Sequence, residues 1–334
     1  MYSFELLLIL LVCILAAFAY KHFAIPLRIV DIPNARSMHT RPIVRGGGLV
    51  FVLSYIVCFV TFDELSIGGS VENSVFLIAV LILSLVSFVD DIRGLLPVIR
   101  LVVHFGCALS VVLVLRSLPE LPIFRSSVGL PIVAAIAAIV WSINLFNFMD
   151  GIDLIAACQG VFVSGGAALI LLYSGEYQFA FALSVIAVSV LAFGLFNIPP
   201  ASMFMGDVGS VFLGFVISVL AIVTSATDNI SPWSWLILYG VFVVDATTTL
   251  VMRVLSGQRF WKPHRTHLYQ LLALRLGSHV RVVALYMFIN VLWFLPLAVL
   301  ATVRYDWSFT LVIVAYLPAV LAVVRYRRAL SEEG

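Results

Sequence analysis

Residues 204–225 read FMGDVGSVFLGFVISVLAIVTS, and this stretch contains the two features that decide the fold. An apolar run from Val208 to Ser225 carries no charged side chain, and Asp207, flanked by glycines, stands directly before it. A helix needs about 20 mostly apolar residues to cross the hydrocarbon core of a bilayer, because its backbone polar groups must be bonded internally. The stretch therefore predicts a membrane-spanning helix that begins at an acidic site.

The whole chain repeats this apolar pattern. Of its 334 residues, 63% are hydrophobic and 11% are charged, with a mean hydropathy of +1.16. In a soluble domain about half of the residues are apolar and a quarter are charged, so the composition excludes a soluble globular protein. Eleven apolar runs are centred on residues 4–20, 47–62, 74–89, 99–117, 128–146, 155–173, 177–197, 208–225, 232–252, 282–302 and 307–324. We predict an all-α polytopic integral membrane protein with about 11 transmembrane helices, forming a single domain over residues 1–334.

The distribution of basic residues predicts the orientation. With eleven helices, all of the 19 Lys and Arg residues fall on one side except Arg116, Arg125 and Arg304. Cytoplasmic loops carry such an excess of basic residues, so we expect the N-terminus outside and the C-terminus in the cytoplasm. The net charge of +2 is too small to indicate nucleic-acid binding.

Acidic residues also concentrate on the predicted cytoplasmic side. Asp90, Asp91, Asp150, Asp153 and Asp207 stand at the ends of apolar runs or in the loops between them. Any one of them alone is explained by a solvated helix end. Together they could converge on a cation and on phosphates that the cation neutralises. The adjacent Asp90 and Asp91 repel each other, so the pair suits a proton acceptor or a metal contact.

Two further segments refine this acidic site. If the helix through residues 144–153 continues, Asn147, Asp150 and Asp153 share one face and present three oxygen ligands. Gly151 would also permit a break there. Asp207 stands where an N-cap belongs, and a helix N-terminus can bind phosphate.

Basic loops supply candidate phosphate ligands. The segment 34–48 contains Arg36, His39, Arg41 and Arg45, followed by Gly46–Gly48, whose amides could approach an anion. The alternative is a loop that only contacts anionic lipid. The second loop contains His264, Arg265 and His267, for which phosphate contact is a better interpretation than metal binding.

Six motifs in order resemble the polyprenyl-phosphate N-acetylhexosamine-1-phosphate transferases, a glycosyltransferase 4 type family that includes lipid I synthase. They run from about residue 31 to residue 270: Asp-Ile-Pro-Asn-x-Arg-Ser-x-His, Arg-Gly-Gly-Gly, Asp-Asp-x-x-Gly, Asn-x-x-Asp-Gly-x-Asp, Gly-Asp-x-Gly-Ser and His-Arg-x-His-x-Tyr-Gln. The first and last motifs are most similar to the branch that initiates O-antigen or capsule chains.

The resemblance implies a reaction and a set of site residues. Polyprenyl phosphate would attack the β-phosphate of a UDP-linked N-acetylated sugar, giving polyprenyl-diphospho-sugar and UMP, with Mg²⁺ (or Mn²⁺) bridging diphosphate oxygens. A covalent aspartyl intermediate is the alternative route. The implied catalytic residues are Asp90 and Asp91, and the implied metal ligands are Asp207 and Asn147. The implied substrate-binding residues are Arg45, Gly46, Gly47, Asp150, Asp153, Asn197, His264, Arg265 and His267.

The resemblance also implies a place in the cell, the bacterial inner membrane, with the active site facing the cytoplasm and a homodimer as one possible assembly. The sugar of the donor would be recognised by His264, Arg265 and His267, beside Leu268 and Tyr269. A UDP-N-acetyl-6-deoxyhexosamine is slightly favoured over UDP-N-acetylglucosamine or UDP-N-acetylgalactosamine. The alternatives are a lipid I synthase-like transferase and, in another class, a secondary transporter.

Three residues depart from the family pattern. Leu154 stands where glycine is common, which puts the local backbone in question. Arg93 replaces a lysine of some members and could bind phosphate but not transfer a proton. Asp245 lies inside an apolar run and matches no motif, so a functional role and a buried hydroxyl partner from Thr247–Thr249 are equally open.

Overall fold

The computed structural model describes residues 2–31, 42–119, 129–258 and 264–332, most of them α-helical. This confirms the all-α class. The chain divides into two compact units, Met1–Ile230 and Ser231–Gly334. The candidate phosphate ligands Arg36, His39 and Arg41 lie outside the described residues.

The first unit contains eight α-helices within its described residues. They are α1 (Ser3–Ala24), α2 (Leu49–Thr61), α3 (Ser70–Arg93), α4 (Pro97–Val114), α5 (Gly129–Met149), α6 (Ile155–Tyr173), α7 (Tyr177–Asn197) and α8 (Gly206–Ala226). The second unit contains α9 (Pro232–Leu238), α10 (Gly240–Leu255), α11 (Leu268–Leu276), α12 (His279–Ile289), α13 (Leu295–Val303) and α14 (Ser308–Glu332). A π-helical turn, Asn290–Phe294, joins α12 to α13.

All eleven predicted apolar runs are helical, but two of them differ from a straight full-length span. Over the described ranges, nine helices are long and apolar enough to cross a membrane. The run at 232–252 forms α9 and α10, which are bent by 75° relative to each other. The run at 47–62 forms α2, whose 13 residues extend about 20 Å, less than the roughly 30 Å hydrocarbon core.

Helix α8 lies at the centre of the first unit. Nearly all of its side chains are buried, as expected for a helix that is apolar on every face. Gly214 allows close packing against α5, because a Cβ at this position would lie 2.5 Å from Ile143 Cα. The Ser142 hydroxyl donates to the Gly214 carbonyl at 2.7 Å in the same contact. The middle of α8 is therefore packed directly against α5.

A small β-ladder brings the Arg-Gly-Gly-Gly segment to α8. Strand β1 (Val30–Asp31) pairs antiparallel with β2 (Ile43–Val44), and Val44 also bridges to Met203. The Phe204 amide donates to the Val44 carbonyl at 2.8 Å. Arg45 is consequently placed beside the first residues of α8.

Candidate active site

A buried carboxylate from α3 caps the N-terminus of α8. Asp91 accepts the Asp207 amide at 2.9 Å and the Val208 amide at 3.2 Å, one on each carboxylate oxygen. The Asp91 side chain is 0% exposed, and Arg45 Nε lies 2.9 Å from its Oδ1. All of its contacts therefore go to protein groups. Asp91 holds the start of α8 and the Arg45 side chain in place, and its predicted catalytic role stays a prediction.

Gly206 is required for this capping. Its φ of +75° is strained for residues with a side chain, and a Cβ there would lie 2.5 Å from Asp91 Oδ2. The N-cap of α8 is Met205, and Asp207 belongs to the first turn. The expectation that Asp207 is an N-cap is thus wrong. The Asp91 carboxylate caps α8 instead, so the Asp207 carboxylate is available for other contacts.

Arg100, which the sequence analysis did not single out, bridges two of the predicted acids. Its Nη1 lies 2.9 Å from Asp90 Oδ2 and 2.8 Å from Asp207 Oδ2. The turn between α3 and α4 allows this geometry, since Gly94, with a φ of +67°, follows the last residue of α3 and Pro97 begins α4. We call Arg45, Asp90, Asp91, Arg100 and Asp207 the α8 cluster.

The three acids of the α8 cluster differ in accessibility. Asp90 is 7% exposed, and its oxygens accept the Leu95 amide and the Arg100 guanidinium. Asp207 is 18% exposed, and its Oδ1 lies 3.9 Å from Arg45 Nη2, beyond hydrogen-bond distance. Asp207 is therefore the acid best placed to bind an added ligand.

Arg45 contributes a positive charge that faces two acids. Burial lowers the pKa of Arg45, but Asp91, Asp207, Asp31 and Asp90 together raise it more, so the net shift is upward and the guanidinium stays charged. The Tyr20 hydroxyl donates to the Arg45 carbonyl at 2.8 Å and fixes the backbone there. The side chain remains 36% exposed, which is enough to contact a phosphate.

The glycines after Arg45 serve packing. The Gly47 and Gly48 amides donate to the carbonyls of Phe204 and Met205 at 2.9 and 2.8 Å. A Cβ at Gly48 would lie 2.4 Å from Gly209 Cα, so the chain here is in direct contact with α8. The expectation that these two amides bind an anion is therefore wrong. Gly46, buried with a φ of +73°, allows the turn that presents Arg45.

The end of α5 reaches the same helix terminus. Asn147 Nδ2 donates to Ser210 Oγ at 3.4 Å, next to the first turn of α8. The helix ends at Met149, so Asp150 and Asp153 do not continue the helical face that carries Asn147. Burial, followed by the nearby Asp207 and Asp91, raises the pKa of Asp150 well above its ordinary value. Asp150 is thus within electrostatic range of the α8 cluster.

Two predicted substrate ligands instead connect loops to each other. Asn197 Oδ1 accepts the Leu154 amide at 2.6 Å, and its Nδ2 donates to the Met203 carbonyl at 2.8 Å. Asp153 Oδ2 accepts the Ala201 amide at 3.2 Å. Asn197 is 4% exposed, so its assignment changes from substrate binding to positioning of the loops before α6 and α8.

Leu154 adopts the backbone conformation that glycine would adopt without strain. Its φ of +72° lies in the left-handed region, which costs a residue with a Cβ roughly 1–2 kcal/mol. The departure from the family pattern therefore falls at a position where the backbone favours glycine. The turn that follows Asp153 therefore forms with leucine at position 154, where the family commonly has glycine.

We expect Leu154→Gly to be more stable than Leu154→Ala by about 1 kcal/mol, the reverse of the usual order, because only alanine has a strained Cβ there. Thermal unfolding of both variants in detergent measures the difference. The matched control is the same pair of substitutions at Ile198, which has a φ of −61° and should favour alanine. A Leu154→Ala variant as stable as Leu154→Gly would contradict the prediction.

The donor atoms at the start of α8 fit a magnesium ion that is shared with substrate. Among the described residues, no group of three or more His, Cys, Asp or Glu side chains could hold a metal by itself. Mg²⁺ is commonly held by one or two protein oxygens together with substrate phosphates and water. Asp207 and Asn147 supply hard oxygen donors of this kind beside the first turn of α8.

The three residues of the last motif lie in the second unit. His267 is 4% exposed and is the N-cap of α11, where a capping box with Gln270 forms. His264 stacks on His267 with ring centroids 5.0 Å apart. Burial, then His267 and Arg253, lowers the pKa of His264 to about 4, so its ring is neutral at pH 7. Arg265 is exposed.

This arrangement changes which residues could contact a ligand. The buried His267 has a positioning role, leaving the exposed Arg265 and the half-buried His264 as candidate ligand contacts. Tyr269 is 0% exposed, so it cannot offer the apolar surface that was expected to read a sugar. That expectation is wrong for Tyr269.

Comparison with known proteins places the chain in a family. The family model for glycosyl transferase family 4 matches residues 73–225. A phospho-N-acetylmuramoyl-pentapeptide-transferase of Halalkalibacterium halodurans is 30% identical over 250 residues, covering 66% of this chain and 72% of that protein. The chain belongs to glycosyl transferase family 4. The resemblance drawn from the six motifs is thereby confirmed.

A second relative of this glycosyl transferase covers more of the chain. A protein of Bacillus subtilis, a probable undecaprenyl-phosphate N-acetylglucosaminyl 1-phosphate transferase, is 27% identical over 278 residues, 80% of this chain and 76% of its own length. The segment matched by the family model contains Asp90, Asp91, Arg100, Asn147 and Asp207. The acids of the α8 cluster therefore lie within the segment that the family model matches.

Proposed function

We propose that this glycosyl transferase moves an N-acetylhexosamine 1-phosphate from a UDP-sugar to polyprenyl phosphate. An oxygen of the lipid phosphate bonds to the β-phosphorus of the donor, the bond from that phosphorus to the bridging oxygen breaks, and UMP leaves. The observation that carries the proposal is the α8 cluster, in which Arg45 and Arg100 meet carboxylates at the start of a buried helix. Guanidinium groups favour phosphate because they form charge-assisted hydrogen bonds with its oxygens.

Asp207 and Asn147 hold Mg²⁺, with Mn²⁺ as the alternative ion, in this proposal. When bound, the ion lowers the charge repulsion between two phosphate groups and improves the leaving group. Three carboxylates of the α8 cluster face only two guanidinium groups, so a cation is electrostatically favourable there. Burial is the main cause of the raised pKa of Asp150, and the negative charges of Asp207 and Asp91 add to it.

The remaining residues bind phosphate or take up its proton. Arg45 is half-exposed and charged, so it neutralises a phosphate oxygen of the substrate. Asp90 accepts the proton of the lipid phosphate, which requires Arg100 to exchange its contact with Asp90 for one with substrate. Attack by an aspartate, giving a covalent intermediate, is the alternative route. His264 and Arg265 bind polar groups of the donor.

UDP-N-acetylglucosamine is the first donor to test. The Bacillus subtilis relative carries N-acetylglucosaminyl in its name. The slight preference for a 6-deoxy sugar rests on the resemblance of the last motif to one branch of the family, and Tyr269 of that motif is fully buried. The lipid I synthase-like alternative is favoured by similarity to the Halalkalibacterium halodurans protein and stays the second candidate.

The experiment uses the purified full chain with undecaprenyl phosphate, Mg²⁺ and one UDP-sugar at a time. UDP-N-acetylglucosamine, a UDP-N-acetyl-6-deoxyhexosamine and UDP-N-acetylmuramoyl-pentapeptide form the panel, and UMP is measured. We expect UMP release that requires the lipid phosphate and is fastest with UDP-N-acetylglucosamine. Highest activity with the muramoyl donor would establish the second candidate. Lipid-independent uptake of a solute by proteoliposomes, with no UMP from any donor, would favour a transporter.

The active site faces the cytoplasm of the bacterial inner membrane in this proposal. Arg93, at the end of α3, and Ser174, at the end of α6, are both exposed and fall on opposite sides of the predicted topology. We expect a membrane-impermeant thiol reagent added outside spheroplasts to label Ser174→Cys but not Arg93→Cys. The four native cysteines are buried or half-buried, so they contribute little background. Labelling of Arg93→Cys from outside would contradict the orientation.

A further inference from the structure

Asp245 is a buried carboxylate whose partners lie mainly in a distant part of the chain. It stands within α10 and is 1% exposed. Its Oδ1 accepts the Leu268 amide at 2.7 Å, and its Oδ2 accepts the Tyr269 amide at 2.9 Å. The Tyr286 hydroxyl of α12 donates to Oδ2 at 2.7 Å, and the Thr249 hydroxyl donates to Oδ1 at 3.3 Å. The carboxylate thus joins α10, α11 and α12.

These hydrogen bonds cap the N-terminus of α11. A carboxylate without partners is strongly unfavourable in a buried environment, whereas backbone amides and the positive end of a helix stabilise it. Asp91 accepts the first amides of α8 in the same way within the first unit. In both units, one buried carboxylate therefore fixes the start of the helix that follows a motif loop.

The cap at α11 also holds the loop before it. His267 precedes Leu268 directly, and its Nδ1 lies 3.7 Å from Asp245 Oδ1. His264 stacks on His267, and His264 Nδ1 lies 3.0 Å from Thr266 Oγ1. Arg253 Nη1, also from α10, donates to Thr266 at 3.4 Å. Movement of the Leu268 and Tyr269 amides would consequently move His264 and Arg265.

The geometry points to Asp245, assisted by Tyr286, as a positioning residue for donor recognition. It holds His264 and Arg265 where they contact polar groups of the nucleoside diphosphate-sugar. Asp245 itself makes no contact with substrate, because it is buried and its oxygens accept protein donors. This inference rests on the proposed function, in which His264 and Arg265 bind the donor.

The first test measures the loop without using activity. Amide hydrogen–deuterium exchange is compared between the wild-type full chain and Asp245→Asn in detergent. Asparagine keeps the shape but turns an NH₂ group toward one of the amides, so exchange at Leu268, Tyr269 and residues 264–267 should become faster. Unchanged exchange at Leu268 and Tyr269 would overturn the proposal.

Tyr316→Phe is the matched control for Tyr286→Phe. Tyr316 is also in the second unit, and its hydroxyl donates to the Leu236 carbonyl. Each variant therefore removes one tyrosine hydroxyl, but only Tyr286 contacts Asp245. We expect Tyr286→Phe alone to increase exchange in residues 264–270. Equal effects of the two variants on this segment would show a general loss of stability and would overturn the proposal.

The second test separates binding from turnover. Asp245→Asn should raise the KM for the UDP-sugar by about tenfold or more, because recognition groups are displaced. The KM for undecaprenyl phosphate should stay within about twofold, since that substrate is not read by this loop. Tyr286→Phe should give a smaller shift in the same direction, and it carries the test if Asp245→Asn does not fold.

The outcomes distinguish this proposal from the proposed function. If wild-type protein releases no UMP from any donor, the proposed function fails, and the exchange measurements still decide whether Asp245 holds the loop. If wild-type protein is active, a lower kcat with unchanged donor KM in Asp245→Asn overturns the positioning role. An increase in donor KM with faster loop exchange supports it.

Discussion

Replacing Asp207 with asparagine is expected to lower kcat by about a thousandfold or more while the protein stays folded. The fold should survive because the cap of α8 is provided by Asp91, and Asp207 is in the first turn. Asparagine has nearly the same size but no charge with which to hold a divalent cation. Transfer of sugar phosphate and thermal unfolding, measured on the same preparation, test the two parts of this expectation.

Asp228→Asn is the matched control for Asp207→Asn. Asp228 follows the other end of α8 and is exposed, with a φ of +57° that asparagine tolerates well. Its activity should equal that of the wild-type protein. Near-normal turnover by Asp207→Asn would show that this carboxylate does not hold the metal. That conclusion would stand even if the variant required less Mg²⁺ than the wild-type protein.

The second large effect is expected at Arg100. Arg100→Gln removes the guanidinium that links Asp90 to Asp207. The three carboxylates of the α8 cluster then have Arg45 as the remaining cation of that cluster. We expect kcat to fall by about a hundredfold or more. The free energy of unfolding should fall by about 1–3 kcal/mol, less than for a fully buried pair because the Arg100 side chain is 32% exposed.

Two comparison variants sharpen the test at Arg100. Arg304→Gln removes an exposed arginine at the end of α13, to which no site role is assigned, and its activity should change by less than about twofold. Arg100→Lys should retain part of the activity, because an ammonium keeps the charge but cannot bridge two carboxylates as a planar guanidinium does. Equal effects of Arg100→Gln and Arg304→Gln would contradict a specific role for Arg100.

Local composition predicted most of the helices because the apolar runs are long and their ends are marked. Each run found in the sequence is helical in the structure. The bend of 75° between α9 and α10 was not predicted. It occurs at Tyr239, beside Gly240, where a Cβ would lie 2.1 Å from Phe294 Cε1, so a close contact between residues far apart in sequence lies next to the bend.

The site was only partly predictable for the same reason. Motif spacing identified Asp90 and Asp207, but the roles of Asp91 and Asn197 depend on backbone amides in other loops. Arg100 was missed because it lies in an apolar helix without glycine or asparagine neighbours. Its spacing of ten residues from Asp90, across the α3–α4 turn, was the available signal.

Asp245 shows how a local prediction can find only part of the answer. The predicted hydroxyl partner exists, since Thr249 donates to Asp245 at 3.3 Å. The closer contacts are the Leu268 and Tyr269 amides at 2.7 and 2.9 Å, which no local pattern indicates. Leu154 is the converse case, because its mismatch with the family pattern correctly marked an unusual backbone position.

The most direct test of the proposed reaction follows the phosphorus atom of the donor. Purified protein is incubated with Mg²⁺, undecaprenyl phosphate and UDP-N-acetylglucosamine labelled with ³²P in the β-phosphate. We predict that the label enters the lipid product in a one-to-one ratio with unlabelled UMP, because the bond that breaks lies between the β-phosphorus and the bridging oxygen. Sugar transfer to the lipid with the label retained in UDP would contradict the account.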